Sequence, residues 1–189
     1  MKKLKAGIVG CSGIANDKHL PAIQRNGNFE ITAFCDLFKE RAQTAKETYG
    51  TADARVYTDY KELLKEDLDV VYVLTPNSTH AEVSIAAMES GKHVMCEKPM
   101  AKTYAEAKAM VETAHRTGKV LNIGYQCRYR ADAQYLKQAC DAGELGEIYF
   151  AKALAVRRRA VPTWGVFLDK EKQGGGPLID MGTHALDMT

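Results

Sequence analysis

Gly7-Ile8-Val9-Gly10-Cys11-Ser12-Gly13-Ile14-Ala15 is the stretch from which the fold is read: a short apolar run that ends in a glycine-rich turn and passes into a helical pattern. In a dinucleotide-binding turn the first glycine closes the tight bend, the second lets backbone approach a pyrophosphate, and the third position packs helix on strand. Gly10, Ser12 and Ala15 occupy those places, with Gly13 and Ile14 between them at the head of the helix. Ala15 is an accepted variant. Ser12 is a departure, because its Cβ narrows the room for phosphate unless the hydroxyl itself donates; Gly13 restores some freedom. Alone, the motif reads equally well as a plain turn between a strand and a helix.

Working outward, further apolar runs alternate with helical patterns, as in a parallel sheet built from βαβ units. Six strands are predicted: Ala6–Val9, Glu30–Cys35, Arg55–Tyr57, Val70–Leu74, His93–Cys96 and Val120–Ile123. Most are continuous Val/Ile/Leu-type runs, because such strands are covered on both faces. Thr79 with Glu82 and Thr103 with Glu106 have capping-box spacing, while Gly50, Gly91 and Gly118 stand where helices should stop. The expected class is α/β, a Rossmann-type doubly wound parallel sheet with its ligand crevice at the carboxyl ends of the strands.

The second strand decides between the two readings of the turn. It ends in Phe34-Cys35-Asp36, a carboxylate a little over 20 residues beyond the glycines, where this fold brings an acid to the adenosine ribose. Asp36 can accept from both ribose hydroxyls and repels a 2′-phosphate, which predicts NAD over NADP. Lys39 and Arg41 nearby soften that preference, and the plain alternative for Asp36 is a turn residue or N-cap.

Composition excludes several classes. The chain has 189 residues, is 46% apolar and carries a net charge of +2 with both signs interspersed, so no field strong enough to argue for nucleic acid emerges. No apolar run approaches the roughly 20 residues of a membrane span. The basic start, Met1-Lys2-Lys3-Leu4-Lys5, runs into the glycine turn rather than a cleavage site. Five cysteines (Cys11, Cys35, Cys96, Cys127, Cys140) are an odd set without a CxxC pair, which fits reduced thiols in the cytoplasm.

After the fourth strand comes Thr75-Pro76-Asn77-Ser78-Thr79-His80, and Gly91-Lys92-His93-Val94-Met95-Cys96-Glu97-Lys98-Pro99 spans the fifth. These two segments, in this order, resemble the TPN-x-x-H and GKHV-x-x-EKP segments of the glucose–fructose oxidoreductase/inositol dehydrogenase/rhizopine-catabolism (Gfo/Idh/MocA) superfamily. The resemblance implies that Thr75, Pro76, Asn77, His80 and Glu97 lie at the dinucleotide, and that Lys98 sits beside both the nicotinamide and the reacting hydroxyl. Pro99 is a candidate for a cis bond that directs the lysine. The alternative for Lys98 is a solvated lysine at a strand end.

Beyond Gly124 the organisation changes, and the division read here is 1–124 for the dinucleotide domain and 125–189 for a linker helix and the incomplete start of an α+β substrate domain. Tyr125-Gln126-Cys127-Arg128-Tyr129-Arg130 leads into a helix-like segment around Ala133–Cys140, Gly143-Glu144-Leu145-Gly146 breaks it, and a strand pattern runs from Glu147 to Arg157. Arg157-Arg158-Arg159 is too short and too isolated for nucleic acid. Tyr125, Arg128 and Trp164 are candidates for lining the site, with ordinary packing as the alternative. Near the end, Gly174-Gly175-Gly176-Pro177-Leu178-Ile179-Asp180-Met181-Gly182-Thr183-His184 also resembles the family. Helical i, i+4 spacing puts Asp180 and His184 on one face. By the resemblance His184 is the general base in oxidation, Asp180 binds substrate or orients the imidazole, and Lys98 stabilises alkoxide character. The alternative is that Asp180 caps the helix and His184 faces solvent. Asp180, His184 and Asp187 have no partnering cluster, so no metal is expected.

The function so implied is NAD-dependent hydride transfer with a secondary hydroxyl of a small polyol, sugar or sugar derivative, in a homo-oligomer. Two alternatives remain at this point: a glycoside-cleaving enzyme of the same fold that returns the hydride, and a non-catalytic NAD-binding module. Family members are much longer, so a fragment is expected, with an uncovered apolar strand around Ile148–Val156.

Overall fold

The computed structural model describes residues 2–156, 158–159, 162–163 and 165–189. Its first strand, β1 (Leu4–Val9), passes through the glycine turn into a π-helical turn, Ala15–His19, which continues as α1 (Leu20–Asn26). The alternation then runs β2 (Phe29–Cys35), α2 (Lys39–Tyr49), β3 (Arg55–Tyr57), α3 (Tyr60–Leu63), β4 (Val70–Val73), α4 (His80–Glu89), β5 (His93–Cys96), α5 (Tyr104–Thr117) and β6 (Leu121–Ile123). After β6 come α6 (Ala131–Asp141), α7 (Lys170–Gln173), a second π-helical turn over Leu178–Gly182, and α8 (Thr183–Asp187).

The six strands are parallel and lie in the order β3-β2-β1-β4-β5-β6. All six predicted strands are present; β3 and β5 have the predicted ends, and each of the others differs at one end by one or two residues. The order reverses direction between β1 and β4, and in such sheets the ligand crevice opens at that switch point, beyond the carboxyl ends of the strands.

Two cores explain the continuous apolar runs. On one face Ala6, Ile8, Ile31 and Phe34 pack with Leu20 and Ile23 of α1 and Ala42 and Ala45 of α2. On the other, Val9, Val71, Val73, Val94 and Cys96 pack with Val83, Ala87 and Met88 of α4 and Met110 of α5. Alternate residues of one strand serve opposite cores, so each must be apolar, and each large side chain so buried stabilises by about 1.5–3 kcal/mol.

Two local expectations fail. Thr103 and Glu106 form the full reciprocal capping box at the start of α5. Thr79 makes no cap hydrogen bond. Its hydroxyl is turned to Thr75 Oγ1 (2.8 Å) and Pro76 O (3.0 Å), and Glu82 accepts from the Tyr60 hydroxyl instead. The strand expected from Glu147 to Arg157 is also absent over 147–156; Arg157, like Trp164, lies outside the described residues. A strand is completed by a neighbour's hydrogen bonds, and among the described residues none pairs with this segment. Ile148, Tyr149, Phe150, Leu154 and Val156 are exposed, as are Arg158 and Arg159.

Candidate active site

Gly10 bends the chain at a φ of +97°, and a Cβ there would stand 2.5 Å from the Leu74 carbonyl oxygen, so glycine alone fits between β1 and β4. Asn16 holds the turn by donating from Nδ2 to Cys11 O (2.9 Å) and Ser12 O (3.1 Å). The first helical bond runs from Asn16 N to Ser12 O, which leaves the amides of Gly13 and Ile14 without an intrahelical acceptor at the positive end of the helix. A Cβ at Gly13 would meet only the Asp17 carboxylate, at 3.7 Å, Ser12 is exposed, and Ala15 is fully buried against the sheet. These residues fit a diphosphate.

Asp36, 9% exposed, accepts from Cys11 N through Oδ2 (2.8 Å) and from Phe38 N through Oδ1 (2.9 Å). Its rotamer is therefore set by the protein, and a carboxylate oxygen has more than one acceptor position, so one amide saturates neither oxygen. Burial, together with the Asp36 charge, pushes the Cys11 and Cys35 thiols up to about 12. All five cysteines are free. Arg41 lies over the Phe38 ring, 4.4 Å from its centroid.

At the carboxyl ends of β4 and β5, His80 is a strut between the two sequence segments. Its Nδ1 is 2.7 Å from Pro99 O and its Nε2 2.9 Å from Thr75 O, with the residue 1% exposed. The carbonyls favour the protonated ring, but burial outweighs them and lowers its pKa. Both ring nitrogens face protein, so His80 supports the crevice from within. Asn77 donates from Nδ2 to Gln173 O (3.0 Å) and Gln173 Oε1 (2.6 Å), which ties this loop to α7.

The Lys98–Pro99 bond is cis. Lys98 Nζ donates to Asp180 Oδ1 (2.9 Å) and to Asp180 O (3.0 Å). Glu97 spends one carboxylate oxygen on Lys98 N (3.0 Å) and the other on His19 Nε2 (2.7 Å). His184 meets Tyr125 edge to face, with ring centroids 6.1 Å apart. Its Nδ1 is buried without a partner. Burial, and then the Lys98 charge, lowers its pKa below the ordinary value of 6.5. Thus Lys98 and Asp180 are in contact and both lie close enough for their charges to act on His184, although 178–182 is a π-helical turn and Asp180 is engaged by the lysine rather than by the imidazole. Tyr125 OH shares a 2.6 Å hydrogen bond with Thr183, and Arg128 grips Asp187 from Nε at 2.9 Å to each oxygen, so both brace α8.

Sequence reasoning missed His19 and Gln173. Nothing local marks either: their partners, Glu97 and Asn77, are 78 and 96 residues away in the chain. Among the described residues no group of three or more His, Cys, Asp or Glu is placed to hold a metal, and no helix is long and apolar enough to cross a membrane.

A profile described as an oxidoreductase family with an NAD-binding Rossmann fold matches residues 4–125, and one described as a GFO/IDH/MocA C-terminal domain matches residues 133–189. The chain is 44% identical to D-glucoside 3-dehydrogenase of Escherichia coli, over 97% of this chain and 52% of that protein. Among solved structures, aldose-aldose oxidoreductase of Caulobacter crescentus complexed with glycerol superposes with a TM-score of 0.83 at 28% identity, covering 99% of this chain and 56% of that one. The WlbA dehydrogenase of Bordetella pertussis, in complex with NADH and UDP-GlcNAcA, gives a TM-score of 0.71 at 31% identity over 78% of this chain and 42% of that one. The chain spans about half the length of the curated relatives it matches.

Proposed function

The chain belongs to the Gfo/Idh/MocA oxidoreductase family, with its NAD-binding Rossmann fold, and from that premise we propose that it takes part in oxidising a secondary hydroxyl of a polyol, sugar or sugar derivative. The observation that carries this reading is the convergence of Lys98, paired with Asp180, and His184, with a buried unpartnered ring nitrogen, at the carboxyl end of the sheet.

When bound, NAD supplies the acceptor for the carbinol hydride. The amides of Gly13 and Ile14, with Gly10, Ser12 and Ala15 shaping the turn, hold the diphosphate. Asp36 receives the adenosine ribose hydroxyls, and its charge disfavours a 2′-phosphate, hence NAD over NADP. Thr75, Pro76, Asn77 and Glu97 form the wall that runs toward the nicotinamide end, and His80 keeps that wall in place.

His184 accepts the hydroxyl proton as the carbinol hydrogen leaves, and returns it in the reverse direction. A lowered pKa keeps the imidazole neutral at pH 7, which a base requires. Lys98 donates to the substrate oxygen and so favours alkoxide character, while Asp180 holds the ammonium in place.

The relatives' names support a sugar-type substrate. Free cysteines support a reducing, cytoplasmic setting. The apolar side chains exposed over 148–156 support assembly with more protein surface, including a homo-oligomer.

The test is incubation with NAD and a panel of inositols, aldoses and glycosides while following the absorbance of the reduced ring. Net formation of reduced cofactor is expected. Calorimetric binding of NAD with no turnover on any member would assign a non-catalytic NAD-binding role instead.

A further inference from the structure

His19 lies at the end of the π-helical turn that follows the glycine loop, and its ring reaches Glu97 in the loop after β5. A π-helical turn carries one residue more than an α-helical one, which displaces the side chains that follow; such turns recur at functional sites. Here the displaced residue is His19, whose Nε2 stands 2.7 Å from Glu97 Oε1. Both side chains are 14% exposed. The His19 ring also lies edge-on to Tyr72 of β4, at 6.2 Å between centroids.

The other oxygen of the same carboxylate accepts from the backbone amide of Lys98 at 3.0 Å. Space for that carboxylate depends on Gly124, where a Cβ would stand 3.3 Å from Glu97 Oε1. Glutamate is a long side chain with several rotamers, and one hydrogen bond to the amide next to it does not select among them. A second anchor from a different element does.

We propose that His19 is a positioning residue for Lys98: it holds the Glu97 carboxylate in the one orientation that fixes the lysine's backbone, and so aims the ammonium at the reacting oxygen. The inference rests on the oxidoreductase reading for its catalytic consequence only. Since His19 belongs to the helix whose head receives the diphosphate, the same contact joins the cofactor end of the crevice to the lysine.

The test compares His19→Phe, which keeps an aromatic ring and removes the donor, with His19→Gln, whose amide Nε2 restores it. The readouts are the ¹H–¹⁵N signal of the Lys98 amide in the 189-residue chain, its protection from hydrogen exchange, and kcat and KM for an alcohol oxidised with NAD. In His19→Phe the Lys98 amide is expected to lose its carboxylate-bonded shift and its protection. A displaced lysine is then expected to lower kcat by roughly 10–100-fold while the alcohol KM changes little. His19→Gln is expected to recover most of each. If His19→Phe does not fold, His19→Asn, one methylene too short to reach Glu97, is measured against His19→Gln in the same way.

An unchanged Lys98 amide in the donor-lacking variant overturns the proposal, as does a His19→Gln protein as impaired as His19→Phe. If the amide responds as expected but no alcohol is oxidised by any form, the positioning contact stands and the oxidoreductase reading falls.

Discussion

The ammonium of Lys98 donates to both the side chain and the backbone carbonyl of Asp180, 82 residues further along the chain. The cis-proline loop after β5 and the π-helical turn before α8 are thereby joined through one charged contact, with side chains only 18% and 27% exposed. Asp180→Ala leaves that ammonium without its carboxylate in a partly dry site. A stability loss of about 1–3 kcal/mol is expected in urea unfolding, with kcat for alcohol oxidation reduced by roughly 100-fold. Wild-type turnover in Asp180→Ala contradicts the assignment.

In the proposed function His184 takes the hydroxyl proton. Removal of a general base typically lowers the rate by about 10²–10⁴-fold, so His184→Ala is expected to lose turnover on that scale while calorimetry finds NAD affinity within about threefold of the parent. An equal loss of NAD affinity would contradict the role. Because burial and Lys98 hold the imidazole pKa below 6.5, the base is already competent at pH 6.5. The acid limb of the kcat/KM profile for oxidation is expected to fall below that pH, and a limb centred above 7 is the opposing result.

Asp36 answers two backbone amides, Cys11 N and Phe38 N, and in the proposed function it receives the adenosine ribose. Asp36→Ala orphans both donors, which costs about 1–3 kcal/mol each when they stay dry, and it removes the charge that opposes a 2′-phosphate. Binding titrations are expected to give weaker NAD and a smaller ratio of NAD to NADP affinity. An unaltered ratio counts against the ribose contact.

Gly10→Ala tests the turn. The new methyl would stand 2.5 Å from Leu74 O at a φ of +97°, so steric overlap and backbone strain of about 1–3 kcal/mol act together. The urea midpoint is expected to fall by a corresponding amount and NAD binding to be lost; a midpoint equal to the parent's shows that the turn has more room than the structure gives it.

His80, like His184, has a folded pKa below that of the exposed side chain. Between the folded and unfolded values the unfolded chain binds more protons, so stability is complete above pH 6.5 and declines as the pH falls through and below it. His80→Gln is expected to fold with a lower urea midpoint at pH 7.5 and a shallower decline toward pH 5. A decline as steep as the parent's assigns the loss to other groups.

How much of this was legible in the sequence follows from how local each feature is. Six strands could be found because a strand covered on both faces leaves an unbroken apolar run. The glycine turn and Asp36 could be found because the tight bend and the acid sit at fixed offsets from strand ends. The Thr103–Glu106 box is a contact across three residues, and its spacing alone states it. Thr79 and Glu82 have the same spacing, yet Tyr60 and Thr75 compete for the two side chains, and that competition exists only once the strands are assembled.

What the sequence determined by itself was the alternation of strands and helices, the dinucleotide turn, and the membership of Lys98, Asp180 and His184 in one recognisable set of motifs. Only the tertiary structure decided that Asp180 grips the lysine, that His80 faces inward, that His19 reaches Glu97, and that 147–156 makes no strand. The reason is the range of the forces. Backbone hydrogen bonds within a helix, and the apolar pattern of a strand, are written in neighbouring residues; an ion pair across 82 residues or a strand's missing partner depends on which surfaces the folded chain brings within about 3 Å of each other.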